Sequence, residues 1–309
     1  MPRVGRESCT VTLTVPIDPD RERAARAARR WFGLCPHRLH GAFGAAVRAM
    51  PETELGQDGR RAGAVSATVS AAMWDGVRPE PWEWSEVYSP RSFGELLSRL
   101  GRLPDAAGFD ASTLDDLGRW NRPGFNVGFI AEDDYLDLFS TIDDAVANDP
   151  DGERVILATL REVAEMAAPL AVAVAVQGSQ GEMPLEDAIS RSNTTYTRSP
   201  ATVLRNYGWL TVLSDEMADR VGSGGRLVAC GAFAEVERLA AGGWWLLATK
   251  TWDEYGPEQA NRVFEVVAPL LPAGRPEMTR VVLPFTGDPY EVTLPNVVAE
   301  RDPREIKGV

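Results

Sequence analysis

The stretch Tyr207-Gly208-Trp209-Leu210-Thr211-Val212-Leu213 contains the clearest structural pattern in the sequence. A run of β-branched and aromatic residues bounded by polar residues is typical of a buried strand. Ser214 follows as a good helix N-cap, and Asp215 and Glu216 fall in the first turn, where the helix dipole favours anions. The sequence therefore predicts a strand followed directly by a short helix, which ends in the glycines of residues 222–225.

The residues that follow extend this pattern into an α+β unit. Residues 226–233 and 244–249 are apolar runs that each predict a strand, and Gly242 and Gly243 predict a tight turn before the second run. Residues 257–270 carry apolar side chains at helical spacing, and prolines lie at the end of this pattern. We therefore expect the unit to contain a second, amphipathic helix.

The first half of the chain also predicts strands and helices in alternation. Residues 10–15 alternate polar and apolar side chains like a half-buried strand, and Asp20 is a good N-cap for a helix. Residues 64–73 predict a strand of small residues. Ser92, with Glu95 at the spacing of a capping box, predicts the start of another helix.

Three further regions of the first half are predicted from their composition. The segment 74–86, rich in tryptophan and proline, predicts an extended loop whose aromatic rings pack on the protein body. Residues 104–124, rich in Gly, Asp and Pro, predict irregular structure. Residues 125–130 predict a strand that leads into an acid-started helix over residues 132–139.

Two local similarities relate the halves of the chain. Residues 163–170 match residues 263–270, and the strand with acidic residues near position 130 resembles the one near position 213. These similarities, together with the order of the elements, predict an α+β fold of two units that are candidates for a duplication. Each unit would be an antiparallel or mixed sheet with helices packed on one face.

The polar, turn-prone segment 177–199 predicts the boundary between the units. The predicted domains are an N-terminal α+β unit over residues 1–180 and a C-terminal α+β unit over residues 200–298. A hairpin over residues 278–294, with its turn at 287–289, closes the second unit. Residues 299–309 form a charged tail that we expect to be mobile.

The charge of the chain limits its partners. The net charge of −13 argues against binding to nucleic acid or to anionic membranes, because phosphate groups would repel the protein. A basic protein partner is favoured instead, although acidity also serves solubility alone. The longest apolar run, residues 166–176, is about half the length of a membrane-spanning helix, so no membrane association is expected.

Cysteine and histidine residues are few and carry no recognised motif. Cys9, Cys35 and Cys230 are widely spaced, which argues against a disulfide framework and favours the reducing cytoplasm. His37 and His40 are the only histidines and lie close to Cys35, but no second cysteine pair accompanies them. We therefore expect packing or capping roles, and we predict no metal and no cofactor.

Five segments of the C-terminal unit share their sequence pattern with a known family. They are Gly208-Trp209-Leu210-Thr211-Val212-Leu213 with Ser214, Gly231-Ala232-Phe233, Trp245-Leu246-Leu247-Ala248-Thr249, Val263-Phe264-Glu265 and Ala268-Pro269. Through these segments the unit resembles the immunity proteins of bacterial polymorphic toxin systems, in particular the type VI immunity family. The resemblance covers residues 207–272, roughly the last third of the chain, and implies a protein that binds a cognate toxin and blocks it.

A surface for such a toxin is predicted from tryptophan and acidic residues in the first half. Tryptophan is enriched in interface hot spots, and flanking carboxylates attract a basic partner during association. The competing interpretation is that these tryptophans are buried under their own loop. The predicted contact residues are Trp82, Glu83, Trp84, Glu86, Glu132, Asp133 and Asp134.

Two other classes of function stay open at this point. No phosphate-binding glycine loop, nucleophile elbow or zinc-protease helix is found, so we do not expect an enzyme. An uncharacterised enzyme is nevertheless one alternative, and a structural or assembly protein of phage origin is the other. The sequence does not specify an oligomeric state.

Overall fold

The computed structural model confirms the α+β class. It describes residues 8–55, 63–73, 82–118, 120–132, 134–149, 151–177, 200–204, 207–274, 279–282, 289–292 and 301–306. In this part of the chain there are eight α-helices and three sheets, of seven, three and two strands.

The strands and helices alternate along the first half and are shorter in the second. The strands are β1 (Ser8–Pro16), β2 (Val65–Met73), β3 (Trp82–Val87), β4 (Ala106–Leu114), β5 (Trp120–Ala131), β6 (Tyr135–Ile142), β7 (Ala171–Gln177), β8 (Leu210–Leu213), β9 (Glu235–Arg238), β10 (Trp244–Leu247), β11 (Thr279–Val282) and β12 (Pro289–Val292). The helices are α1 (Arg21–Arg38), α2 (Gly41–Ala49), α3 (Pro90–Arg99), α4 (Asp144–Asn148), α5 (Gly152–Ala167), α6 (Asp215–Arg220), α7 (Ser223–Ala229) and α8 (Pro257–Val267).

The largest sheet has the strand order β3-β2-β4-β5-β6-β1-β7. Its neighbours β3 and β2, β2 and β4, β4 and β5, β5 and β6, and β1 and β7 are antiparallel. The three-stranded sheet has the order β8-β10-β9 and is also antiparallel, and β11 and β12 form the predicted hairpin. Of the predicted turn 287–289, residues 287 and 288 lie outside the described residues, and Pro289 is the first residue of β12.

The chain divides into two compact units, one over Val15–Ala167 and one formed by residues 1–14 and 168–309. Of the predicted boundary segment 177–199, Gln177 is the last residue of β7, and residues 178–199 lie outside the described residues. Within the predicted tail, Arg301 contacts helix α8, since its guanidinium carbon is 4.9 Å from the ring centroid of Phe264.

Helices of the Val15–Ala167 unit pack on one face of its strands. Phe93 of α3 lies 5.4 Å from Phe109 of β4, and Phe32 of α1 lies 6.3 Å from Phe129 of β5, both measured between ring centroids. Side chains alternate between the faces of a strand, so every second residue of β4 and β5 points to the opposite face. That opposite face is rich in small and polar residues.

The first helix, α1, begins where the sequence predicts. Asp20 caps it as expected, because its carboxylate accepts from the backbone N–H of Arg23 at 2.9 Å. The helix then continues to Arg38 and is fixed to α5 by ion pairs of Arg30 and Arg38 with the same carboxylate, Glu162.

The stretch around β8 forms as predicted. The hydroxyl of Ser214 accepts from the N–H of Met217 at 3.2 Å and caps α6. Gly242 and Gly243 make the turn before β10 with φ of 106° and 89°, the left-handed region that favours glycine. The predicted closing helix is α8.

The strand predicted over residues 226–233 is wrong, because residues Ser223–Ala229 form helix α7. Gly224 allows this helix to lie against the ring of Trp244, since a Cβ at Gly224 would be 1.9 Å from Cη2 of that ring. The third strand of the small sheet is β9 instead, and it joins β10 through the predicted turn.

Residues 104–139 also differ from the prediction. The supposed irregular region 104–124 contains β4 and the start of β5, and the supposed helix 132–139 contains the start of strand β6. In β6 the side chains at positions 136, 138, 140 and 142 are buried while those between them are half-buried, which is the two-residue period of a strand. Residues 132–139 therefore do not match the helix that begins after Ser214.

Two local predictions near β3 are corrected as well. The part of the predicted loop that the structure describes, residues 82–86, is strand β3 rather than a loop. Helix α3 begins at Pro90 and is capped by Ser89, with Ser92 as the returning residue of the capping box. Ser92 is therefore the third residue of the helix and not its cap.

Candidate interaction surface

Strand β3 is the outermost strand at one edge of the large sheet. It carries four of the seven predicted contact residues, and it pairs with β2 in a register that joins Met73 to Trp82 and Thr68 to Val87. Trp82, Glu83 and Glu86 are exposed. Trp84, the fourth of these residues, is half-buried.

Trp82 and Trp84 lie on the side of β3 that faces α3. The guanidinium carbon of Arg99, at the end of α3, lies 4.8 Å from the ring centroid of Trp82 and 4.6 Å from that of Trp84. Arg99 also forms an ion pair with Glu95 on the same helix. Trp84 is half-buried, whereas Trp82 is 39% exposed, so packing under a loop does not describe Trp82.

A hydrogen bond fixes the orientation of Trp84. Its indole Nε1 donates to Oε1 of Glu86 at 3.1 Å. The two side chains lie on the same face of β3, because residues two apart in a strand point the same way. This bond leaves the Glu86 carboxylate exposed and places it beside the aromatic pair.

The second group of predicted residues lies in the turn between β5 and β6. Glu132 and Asp134 are both exposed, and Asp133 lies outside the described residues. The backbone holds the turn in place, because the N–H of Glu132 donates to Tyr135 and the N–H of Ile17 donates to Asp134, both at 2.9 Å.

The sheet brings the two groups to the same end but not into contact. Glu83 pairs with Ala72, Ala72 with Ala106, and Ala106 with Ile130, which is two residues before Glu132. Three strand spacings separate β3 from β5, a distance of about 14 Å at ~4.8 Å per spacing. Glu83 and Glu132 can thus face one partner without touching each other.

The structure adds an acidic residue that the sequence interpretation missed. Asp110 lies in the middle of β4 on the face opposite the helices, and Nδ2 of Asn126 on β5 donates to its carboxylate. Burial raises the pKa of Asp110, and the bond from Asn126 partly offsets this effect. The alternation of Ala107, Phe109 and Ala111 was the signal that could have located this strand.

The histidine and cysteine cluster does not assemble around a common centre. His40 is fully buried, its ring stacks on Phe125 at 4.6 Å between centroids, and its Nε2 lies 3.1 Å from Oγ of Ser140. Burial lowers the pKa of His40 to about 3. His37 is exposed and Cys35 is buried. Within the described ranges, no group of three His, Cys, Asp or Glu residues is placed to hold a metal ion.

The protein belongs structurally to the α+β proteins with open antiparallel sheets. No protein-family model matches its sequence, and no curated protein matches it significantly. Among solved structures, the chain is similar to a protein described as the Pseudomonas aeruginosa T6SS protein PA0821, with a TM-score of 0.51 and 12% identity. The match covers 97% of this chain and 80% of that one. At this identity the similarity shows a shared fold.

Among the described residues, no helix combines the length and the apolar character that a membrane-spanning helix requires.

Proposed function

We propose that this protein is an immunity protein that binds a cognate bacterial toxin and neutralises it by covering a surface that the toxin needs. The observation that carries the proposal is the fold, which is similar over 97% of the chain to a protein named for the type VI secretion system. The sequence resemblance of residues 207–272 to the type VI immunity family points in the same direction.

In this proposal the toxin presents a basic surface. The chain carries a net charge of −13, and Glu83, Glu86, Glu132 and Asp134 are exposed on the large sheet or at its end. Opposite charges on the two partners accelerate their association, while a few buried aromatic contacts provide most of the affinity. Trp82 is the aromatic residue best placed for that second role.

The proposed mechanism is occlusion and needs no chemistry from this chain. It places the protein in the cytoplasm, which agrees with the free thiols of Cys35 and Cys230. A toxin held in a complex would be unable to reach its target as long as dissociation is slow.

The experiment is a growth test in which each gene adjacent to this one is expressed alone and together with it. The proposal expects one neighbour to arrest growth alone and to be harmless when this protein is present. If no neighbour is toxic, or if a toxic neighbour is not neutralised, the immunity proposal is wrong, and an enzyme or an assembly protein becomes the better explanation.

A further inference from the structure

Strand β3 has an outer edge whose backbone groups can be assigned from the register. Tyr88 lies directly opposite Ala67 in the antiparallel pair, and its N–H donates to the Ala67 carbonyl at 2.9 Å. Positions that bond to the neighbouring strand alternate with positions that do not. Trp82, Trp84 and Glu86 therefore direct their N–H and C=O groups towards β2.

The remaining positions of β3 direct these groups away from the sheet. The hydrogen bonds on the other side of β2 support this assignment. There the N–H of Leu114 donates to the Ala64 carbonyl at 2.8 Å, so the even-numbered residues of β2 bond to β4 and the odd-numbered ones to β3. Glu83 and Ser85 thus present outward N–H and C=O groups. Val87 presents its N–H, while its carbonyl accepts from Oγ of Ser92 at 2.9 Å.

The edge lacks several of the features that usually prevent strand addition. Edge strands are commonly protected by charged side chains, lysine above all, by proline or by a bulge. Residues 82–87 contain neither lysine nor proline, and the register between β2 and β3 is continuous. The charged residues of the strand are Glu83 and Glu86, which disfavour an acidic partner strand but not a basic one. Within the part of the chain that the structure describes, no strand pairs with the outer side of β3.

We propose that β3 receives an extended segment of a basic protein partner as an additional antiparallel strand. This inference rests on the proposed function and specifies how the toxin would be held. The outward groups of Glu83 and Ser85 supply main-chain hydrogen bonds, as in other cases of β-strand addition. The exposed side chains of β3 determine which segment fits.

Charge selects the partner segment. Glu83 and Glu86 point to opposite faces of β3, so a cation directly opposite each would place two basic residues three positions apart in the partner strand. The residues opposite Trp82 and Trp84 would be apolar. A second copy of this chain fits less well, since two chains of net charge −13 repel each other.

The probe is a capped peptide, Thr-Lys-Thr-Val-Lys-Val, whose residues in this order lie opposite positions 87 to 82. It is titrated at millimolar concentration into the isotope-labelled full chain, and amide exchange is followed by NMR. In the free protein we expect fast exchange at Glu83 and Ser85 and slow exchange at Trp84 and Glu86. The peptide should slow exchange at Glu83 and Ser85.

Three variants make the result specific. Ser85→Pro removes an outward N–H without touching the bonds to β2 and should weaken peptide binding about tenfold, whereas Ser85→Ala keeps the N–H and should bind normally. Glu83→Lys combined with Glu86→Lys leaves the backbone intact and should transfer preference to the peptide Thr-Glu-Thr-Val-Glu-Val.

Each outcome decides the inference. Three results together support strand addition by a basic segment. The peptide slows amide exchange at Glu83 and Ser85, Ser85→Pro weakens peptide binding, and the double lysine variant prefers the acidic peptide. The inference is overturned if the peptide does not bind, if it binds Ser85→Pro as well as the wild type, or if it slows amide exchange elsewhere instead. It is also overturned if the NMR signals of β3 shift with protein concentration alone, because a second copy of this chain would then be the occupant. The growth test uses no peptide and no variant, so its failure is distinguishable from failure here.

Discussion

The guanidinium carbon of Arg99 lies 4.6 Å from the centre of the Trp84 ring, so that the last turn of α3 covers one side of the edge strand. A cation over an indole face contributes about 0.5–1 kcal/mol at a partly exposed site. Arg99 therefore connects the helix layer to the strand that carries the predicted contact residues.

Replacing this cation should loosen the edge strand. Arg99→Gln should lower the free energy of unfolding by about 1 kcal/mol, since two ring contacts are lost, and should shift the tryptophan fluorescence towards that of solvated indole. Urea unfolding measures the first effect. Arg91→Gln, an exposed position on the same helix, is the control and should change neither quantity.

Acid should destabilise the protein through His40. Because burial lowers its pKa from 6.5 to about 3, the folded state favours the neutral ring. The stabilisation is complete above pH 6.5 and is lost as the pH falls towards 3, at up to about 1.4 kcal/mol per pH unit.

The two histidines of the chain provide a matched comparison for this effect. Unfolding free energies between pH 7 and pH 4 should fall less steeply for His40→Gln than for the wild type, although His40→Gln is less stable at pH 7 because the stacking on Phe125 is lost. His37→Gln, at an exposed position, should keep the wild-type slope. An unchanged slope in His40→Gln would contradict the assignment.

Two adjacent glycines test helix α7. Gly224→Ala should lower the free energy of unfolding by about 1–3 kcal/mol, because its Cβ would overlap the Trp244 ring. At Gly225 nothing lies within 4 Å of an added Cβ, so Gly225→Ala should raise the free energy of unfolding by about 0.5–1 kcal/mol as expected in a helix. Equal effects would be inconsistent with the position of α7.

The half-buried carboxyl of β4 should cost stability at neutral pH. Because burial raises the pKa of Asp110 in the folded state, the protonated carboxyl stabilises the fold at pH values below the pKa of the unfolded chain. This stabilisation is lost as the pH rises through the pKa of the folded state. Asp110→Asn keeps an oxygen that accepts from Asn126, and it should therefore be at least as stable as the wild type at pH 7. A marked loss in thermal unfolding temperature would show that the charge is needed.

The stretches predicted correctly are those whose signals are local. Ser214 caps α6 through its own side chain, and Gly242 and Gly243 adopt the turn geometry that glycine favours, so neighbours in sequence suffice. The spacing of the apolar residues is likewise sufficient to predict α8, because the period of one helix face can be recognised within the segment itself.

The strands within residues 104–124 were harder to predict because their composition follows from pairing. Gly124 lies in β5, where a Cβ would be 3.1 Å from the carbonyl oxygen of Ala111 on β4. Such glycines resemble loop residues in sequence, yet the close approach of the neighbouring strand favours them. The same lack of pairing information concealed Asp110 and made Glu132 look like the start of a helix.

The candidate surface was predicted by residue type but not by geometry. Trp82 and Glu83 were selected for their chemistry. The structure places them on the edge strand β3, which lies three strand spacings, about 14 Å, from β5, the strand that precedes Glu132. Neither the edge nor the contact with Arg99 can be read from neighbouring residues, because both depend on the order of strands in the sheet.

Charge reversal should separate the proposed surface from the rest of the acidic protein. Glu83→Lys with Glu86→Lys, or Glu132→Lys with Asp134→Lys, should slow association with the toxin and weaken its salt dependence. Stopped-flow or surface-based kinetics measure both. Glu216→Lys with Asp219→Lys makes the same change in net charge on α6 and should have a smaller effect; equal rates in all three variants would exclude the surface.

The central claim is that this protein binds and neutralises a toxin, and direct binding tests it best. The purified full chain is mixed with an inactivated form of the toxic neighbour, and the complex is measured by calorimetry and by its mass in solution. We predict a stable complex with slow dissociation, which occlusion requires. A toxic neighbour that is neutralised in cells but forms no complex with the purified protein would contradict occlusion, and no interaction with any neighbour would contradict the immunity function itself.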